Sequence, residues 1–262
     1  MLNHLILTVD YTTDWERAME QLPALLRLLG TERVTLTYVL KTYKRQRADD
    51  TEGAANERLL RIGEQLSQSI GIKTDTRVLK GFVAQEVLAL TKKLGADGII
   101  ACNRSHHAAK EVFFGNTALN LARMTKVPLL IIPVQNQPAS AEQEILFATD
   151  GSKASFNAEA LFEKLMSEKH TGRVVWVHSD EPEAADEATE QRINELVERH
   201  PGVHRNILIG RPVDQIVQTI TDTRPALAIM GKRGSTPIQE IMLGSTTEHV
   251  AAASPYPLLM IP

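Results

Sequence analysis

The sequence predicts an α/β protein built as two tandem, doubly wound, parallel five-stranded sheets with helices on both faces. Three observations predict it: an internal repeat, near-continuous apolar runs of strand length, and helix-period segments between those runs. Residues 128–133 read Pro-Leu-Leu-Ile-Ile-Pro and residues 257–262 read Pro-Leu-Leu-Met-Ile-Pro, an offset of 129. The same offset relates Gly81 to Gly210, Arg104 to Arg233, Glu111 to Glu240, Gly115 to Gly244 and Thr117 to Thr246. Nearer the start of each half the offset is 140, relating Asp10 to Asp150 and Arg33 to Arg173. The first half therefore carries 11 extra residues between its second and third strands, expected in the polar stretch 41–53. That charge run reads as a solvated crossover loop, with a contact patch as the other reading. The 262 residues also suit two domains at roughly 150 residues each. Their expected bounds are 1–135 and 143–262, joined by a polar linker without apolar periodicity.

Taken in order, strands are expected in the first half at 3–9, 33–40, 73–79, 97–102 and 129–133. In the second half a strand at 144–149 leads into a helix over 154–166, and the next strand is at 174–177. A glutamate-rich helix follows, with Ile193, Leu196, Val197 and His200 on one face, before a strand at 203–209. Val213, Ile216, Val217 and Ile220 mark another amphipathic helix, stopped by Pro225. A strand at 226–230, a helix at 244–253 and a strand at 257–261 complete the repeat. Trp15 and Trp176 read as packing residues and His178 as a strand-end residue. Apolar strands joined by helices imply a parallel sheet covered on both faces, wound right-handedly. Ligands in such sheets bind beyond the strand C-termini where the winding reverses, so the site residues should follow strands one, two and four. The two fifth strands, both apolar, are expected to pair within the chain as an intrachain pseudo-dimer; a homodimer of chains is left open.

Composition narrows the function classes. A net charge of −3 gives no nucleic-acid footprint, and one cysteine, Cys102, excludes an internal disulfide framework. Residues 1–7 lack a basic leader pattern, and no apolar run approaches the roughly 18 residues of a membrane span. A cytoplasmic location is expected, with no membrane partner.

The chemistry is concentrated after the fourth strand of the second half, where Gly231-Lys-Arg-Gly234 is followed nine residues later by Gly244-Ser245-Thr246 at a helix start. Glycines let a backbone approach an anion, and the free N–H groups and dipole of a helix start favour its charge. The competing reading needs no ligand: Ser245-Thr-Thr-Glu248 is also a capping-box pattern, and Gly231 and Gly234 could shape a turn. No Walker G-x-x-x-x-G-K-[ST] and no G-x-G-x-x-G occurs, which leaves a Walker ATPase and a Rossmann dinucleotide enzyme unsupported.

The pattern G-x2-G-x9-G-[ST], in a half whose first strand ends in Thr149-Asp150-Gly151-Ser152, resembles the ATP-binding members of the universal stress protein family. The resemblance covers essentially the whole chain twice, as in tandem universal stress proteins, and implies an adenine nucleotide alpha hydrolase-like, Rossmann-like fold. It implies that Ala148, Thr149 and Asp150 line the base and ribose end of an ATP pocket. Ser179, in place of the usual apolar residue, would contact adenine through its backbone. By the same resemblance Met230 and Gly231 flank the ribose, while Arg233, Gly234, Gly244, Ser245 and Thr246 hold the phosphates. Asp150 is also the carboxylate available to Mg²⁺, a hard cation that prefers oxygen.

In the first half Gly231 becomes Cys102, Gly234 becomes Ser105 and Ser245 becomes Asn116, with Gly115 and Asp10 retained. This half reads as a degenerate copy that has lost ATP. Cys102, His106 and His107 raise a zinc site, against exposed loop histidines. The functional reading is a stress-response protein whose second half binds ATP as a nucleotide-dependent regulator. The alternatives are a slow ATPase, an ATP-pyrophosphatase-like enzyme, whose Ser-Gly-Gly-x-Asp-Ser loop is absent here, and a ligand-free interaction scaffold.

Overall fold

The computed structural model describes residues 1–40, 51–103, 106–108, 111–113, 116–134, 143–166, 170–178, 184–234 and 243–262. The N-terminal half runs β1 (His4–Thr8), α1 (Thr13–Met19), α2 (Leu22–Leu28), β2 (Arg33–Leu40), α3 (Glu52–Ile70), β3 (Lys73–Lys80) and α4 (Val83–Leu94). It continues through β4 (Gly98–Asn103), a short hairpin of β5 (His106–Ala108) and β6 (Glu111–Phe113), α5 (Asn116–Met124) and β7 (Leu129–Pro133). The C-terminal half runs β8 (Ile145–Thr149), a 3-10 turn (Lys153–Ser155), α6 (Phe156–Met166), β9 (Gly172–His178), α7 (Ala184–Arg199) and β10 (Val203–Ile209). It ends with α8 (Pro212–Thr223), β11 (Leu227–Gly231), α9 (Ser245–Ala253) and β12 (Leu258–Ile261).

The strands form one ten-stranded sheet in the order β10-β9-β8-β11-β12-β7-β4-β1-β2-β3. Within each half every ladder of this sheet is parallel, and the order from the outer edge is third, second, first, fourth, fifth; the separate β5–β6 hairpin is antiparallel. The winding reverses between β1 and β4 and between β8 and β11, so the residues after those strands gather at two crevices. The two five-stranded sheets are continuous, because β7 and β12 pair antiparallel, Leu258 opposite Ile131, Leu259 opposite Leu130 and Met260 opposite Leu129.

The apolar strands place successive residues on opposite faces, which is why they read as unbroken hydrophobic runs. Leu5, Leu7, Leu36, Ile145, Phe147, Val174 and Ile229 face one layer of helices; Ile6, Ile99, Leu146, Val175, Ala228 and Met230 face the other. Each core layer draws residues from both halves. Trp15 and Trp176 are buried, Trp15 donating its indole N–H to the Thr8 carbonyl at 2.9 Å.

Three details differ from the sequence expectations. The first helical segment of the N-terminal half is broken into α1 and α2, with Pro23 in the first turn of α2. The β5–β6 hairpin is an addition, its strands too short to show periodicity. The 11-residue excess is not confined to a loop: α3 has 19 residues where α7 has 16. Residues 41–50, and the linker residues 135–142, lie outside the described residues.

Candidate functional site

Asp150 follows the last residue of β8 at the winding reversal. Its Oδ1 accepts from the Ser152 N–H at 3.1 Å and the Ser152 hydroxyl at 2.6 Å, which curls the chain back at once. Thr149 Oγ1 lies 3.1 Å from Ser155 Oγ and accepts from the Gly151 N–H at 3.1 Å, so this side chain shapes the turn. Gly151 has φ +70° and packs against Thr189 of α7, leaving no room for a Cβ. Asp10 makes the same turn with Thr12, at 3.0 and 2.6 Å, but there the left-handed position belongs to Tyr11, φ 55°. The Tyr11 ring lies 4.6 Å from that of Tyr38, and its hydroxyl donates to the Ala55 carbonyl at 2.7 Å.

The loop after β11 meets this turn. A Cβ on Gly234 would stand 2.7 Å from Asp150 Oδ2, so the carboxylate and the loop main chain are in direct apposition. A Cβ on Gly231 would meet the carbonyls of Arg233 at 3.0 Å and Ala154 at 3.3 Å. A side chain at Gly231 would press on backbone, and one at Gly234 would displace the Asp150 carboxylate, so internal packing already favours glycine at both. Gly244 is different: its φ −62° and ψ 138° suit any residue, and an added Cβ would find neighbours at 3.5 Å or more.

Gly244 is the N-cap of α9 and no side chain caps that helix. The competing capping-box reading does not hold here, since Ser245 is the first helical residue and Glu248 turns away to Arg123 of α5, 3.0 Å distant. The helix start is instead held to the loop: the Gly244 N–H donates to the Lys232 carbonyl at 3.1 Å, and the Thr247 hydroxyl donates to the Gly231 carbonyl at 3.0 Å. Ser245 is exposed and Thr246 half-buried at the mouth.

Residues distant in sequence, Asp150, Gly231, Arg233, Gly234, Gly244, Ser245 and Thr246, thus belong to three segments tied together at one crevice. Ala148 and Met230 stand opposite each other in the β8–β11 ladder with their side chains buried in the core. Ser179 lies outside the described residues. His106 and His107, two of the residues of the expected zinc site, fall on β5 with side chains outside the described residues; Cys102 is half-buried. Among the described residues, no three His, Cys, Asp or Glu side chains come together to hold a metal, and no helix is long and apolar enough to cross a membrane.

Two residues of this crevice carry no sequence signal. Thr247 and Lys232 occupy positions the motif leaves unspecified, yet both are buried. Burial pushes the Lys232 pKa down to about 8, with the Arg233 charge adding to the effect.

A doubly wound sheet with a glycine loop and a helix start at its switch point defines a class of nucleotide-hydrolase-like folds. The sequence model of the universal stress protein family matches residues 1–133 and 166–262. The chain belongs to the universal stress protein family. It is 31% identical over 134 residues to a universal stress protein of Thermus aquaticus, a match covering 45% of this chain and 96% of the relative. A universal stress protein of Methanocaldococcus jannaschii is 40% identical over 55 residues, covering 21% of this chain and 34% of that one. The crystal structure of a universal stress protein from Archaeoglobus fulgidus superposes with a TM-score of 0.80 at 22% identity, over 100% of this chain and 98% of that chain. That last likeness extends over both halves, so the paired arrangement of sheets is shared.

Proposed function

We propose that the C-terminal half binds an adenine nucleotide, ATP with Mg²⁺, and that occupancy makes the protein a nucleotide-dependent regulator. The observation that carries this reading is Gly244. Neither its backbone angles nor its packing demand glycine, yet it leaves the first turn of α9 without a side-chain cap beside the Asp150 turn and the 231–234 loop. A bare helix start with hydroxyls at Ser245 and Thr246 favours a phosphate through main-chain N–H groups and the helix dipole. Arg233 lies in the same loop and adds a cation. Asp150, beside that loop, would be the carboxylate to share Mg²⁺ with those phosphates, in the pattern of one carboxylate plus phosphate oxygens that Mg²⁺ favours. The N-terminal half, with Cys102 at the position of Gly231, is read as the partner that has lost the nucleotide.

A ligand-free scaffold is the second reading, favoured by the internal packing reasons for Gly231 and Gly234. Thermal unfolding of the intact protein with and without Mg·ATP separates the two. A micromolar site at millimolar ligand stabilises the native state by about 4 kcal/mol, a shift of several degrees. The variant G244A is expected to fold, losing about 1 kcal/mol or less at the cap, while the nucleotide-induced shift largely disappears. An unchanged midpoint for the wild type in millimolar Mg·ATP would establish the scaffold instead.

A further inference from the structure

Lys232 stands between Gly231 and Arg233, and the proposed nucleotide site makes no use of its side chain. It is 3% exposed. Each of its polar ends is tied to a different element. Its N–H donates to the Ile261 carbonyl at the end of β12, at 2.6 Å, and its carbonyl accepts from the Gly244 N–H at the start of α9. Its ammonium leaves the C-terminal half altogether. It donates to the Arg123 carbonyl at 2.9 Å and the Thr125 carbonyl at 2.7 Å, at the C-terminal end of α5.

The repeat makes the choice of residue informative. Asn103 is the equivalent position in the N-terminal half, and it crosses the seam in the opposite sense, donating Nδ2 to the Ala251 carbonyl of α9 at 3.2 Å. The layout is symmetric but the chemistry is unequal. A neutral carboxamide meets α9, while a buried cation meets the negative end of α5. Burying an ammonium is costly, and this one sits where its main chain joins the loop to the helix start.

We infer that Lys232 is a positioning residue through which the N-terminal half holds the C-terminal anion loop in its receiving shape. The inference rests on the nucleotide reading of that loop. Anchoring Nζ on α5 fixes the Lys232 main chain, which in turn sets the distance between the 231–234 loop and the α9 start. The degenerate half thereby serves a ligand bound by its neighbour, and occupancy of the loop is felt at the end of α5.

The test is amide hydrogen exchange and nucleotide titration on the full chain, comparing wild type, K232M and R123A. K232M keeps an apolar stem without the ammonium; R123A removes the pairing side chain but leaves the carbonyl. Without nucleotide, K232M should exchange about tenfold faster at residues 120–127 and 243–247, with the central strands unchanged. With Mg·ATP, the wild type and R123A should gain protection at 120–127, in the other half of the molecule. K232M should show no such gain, and its Kd should rise about tenfold. A K232M protein within about twofold of wild type in affinity overturns the inference, whatever its exchange rates. Should the wild type bind no nucleotide, the functional reading fails, and the exchange without nucleotide alone decides the anchor: faster at both segments sustains it, unchanged refutes it. K232Q, with a shorter donor, is read by the same criteria if K232M does not fold.

Discussion

Lys232 has a pH signature as well as a place in the loop. Its pKa is about 8 in the fold against 10.5 for an ordinary lysine, so the folded state holds that proton less tightly than the unfolded chain. Between those values the unfolded chain binds more protons, and stability rises with pH. Relative to K232M, the wild type is expected to gain stability from pH 8 to pH 10.5, by up to about 3 kcal/mol, with a flat difference on the acid side of that window. Urea unfolding of both proteins across the range measures it; a parallel pair of curves would contradict the burial of the charge. Lys232 also marks where reading a sequence stops. A lysine in a glycine loop is expected to be solvated, and its burial follows from a helix more than a hundred residues away. Gly231 and Gly234 were legible as glycines with a purpose, but part of that purpose is steric fit against Ala154 and Asp150, which no spacing conveys.

At the level of elements, α5 and α9 lie across the seam and are linked by the Arg123–Glu248 pair, with Glu248 Oε1 and Oε2 at 3.0 and 3.1 Å from one guanidinium nitrogen. Both side chains reach solvent, so a double-mutant cycle of R123A and E248A should give a coupling of about 0.5 kcal/mol, diminished by salt. A coupling near zero would mean that this ion pair adds nothing to the hold across the seam, where the Lys232 and Asn103 hydrogen bonds also cross. This ion pair also explains the failed capping-box pattern: the spacing from Ser245 to Glu248 was present, but a tertiary partner took the carboxylate. The inner strands of the large sheet were legible almost to the residue because two-sided burial writes itself as unbroken apolar sequence, whereas the short β5 and β6 left no such trace. Tyr11 was not, since a left-handed tyrosine has no local signature, whereas Gly151 at the equivalent place does.

For the molecule as a whole, the β7–β12 ladder is what makes two sheets one. All the residues it pairs are buried, and each half alone would present an open apolar edge. Segments 1–134 and 143–262, produced together as separate chains, are expected to co-elute as a 1:1 pair in size-exclusion chromatography with light scattering. Two non-associating monomers would show that the covalent linker, and not the ladder, unites the halves. The unequal seam residues have one more consequence. Two identical subunits meeting about a twofold axis must present the same groups to each other, so a change on one side is always made twice. Covalent fusion of the repeats lifts that requirement: an ammonium can occupy one side and a carboxamide the other, and the copies are free to diverge into host and lodger.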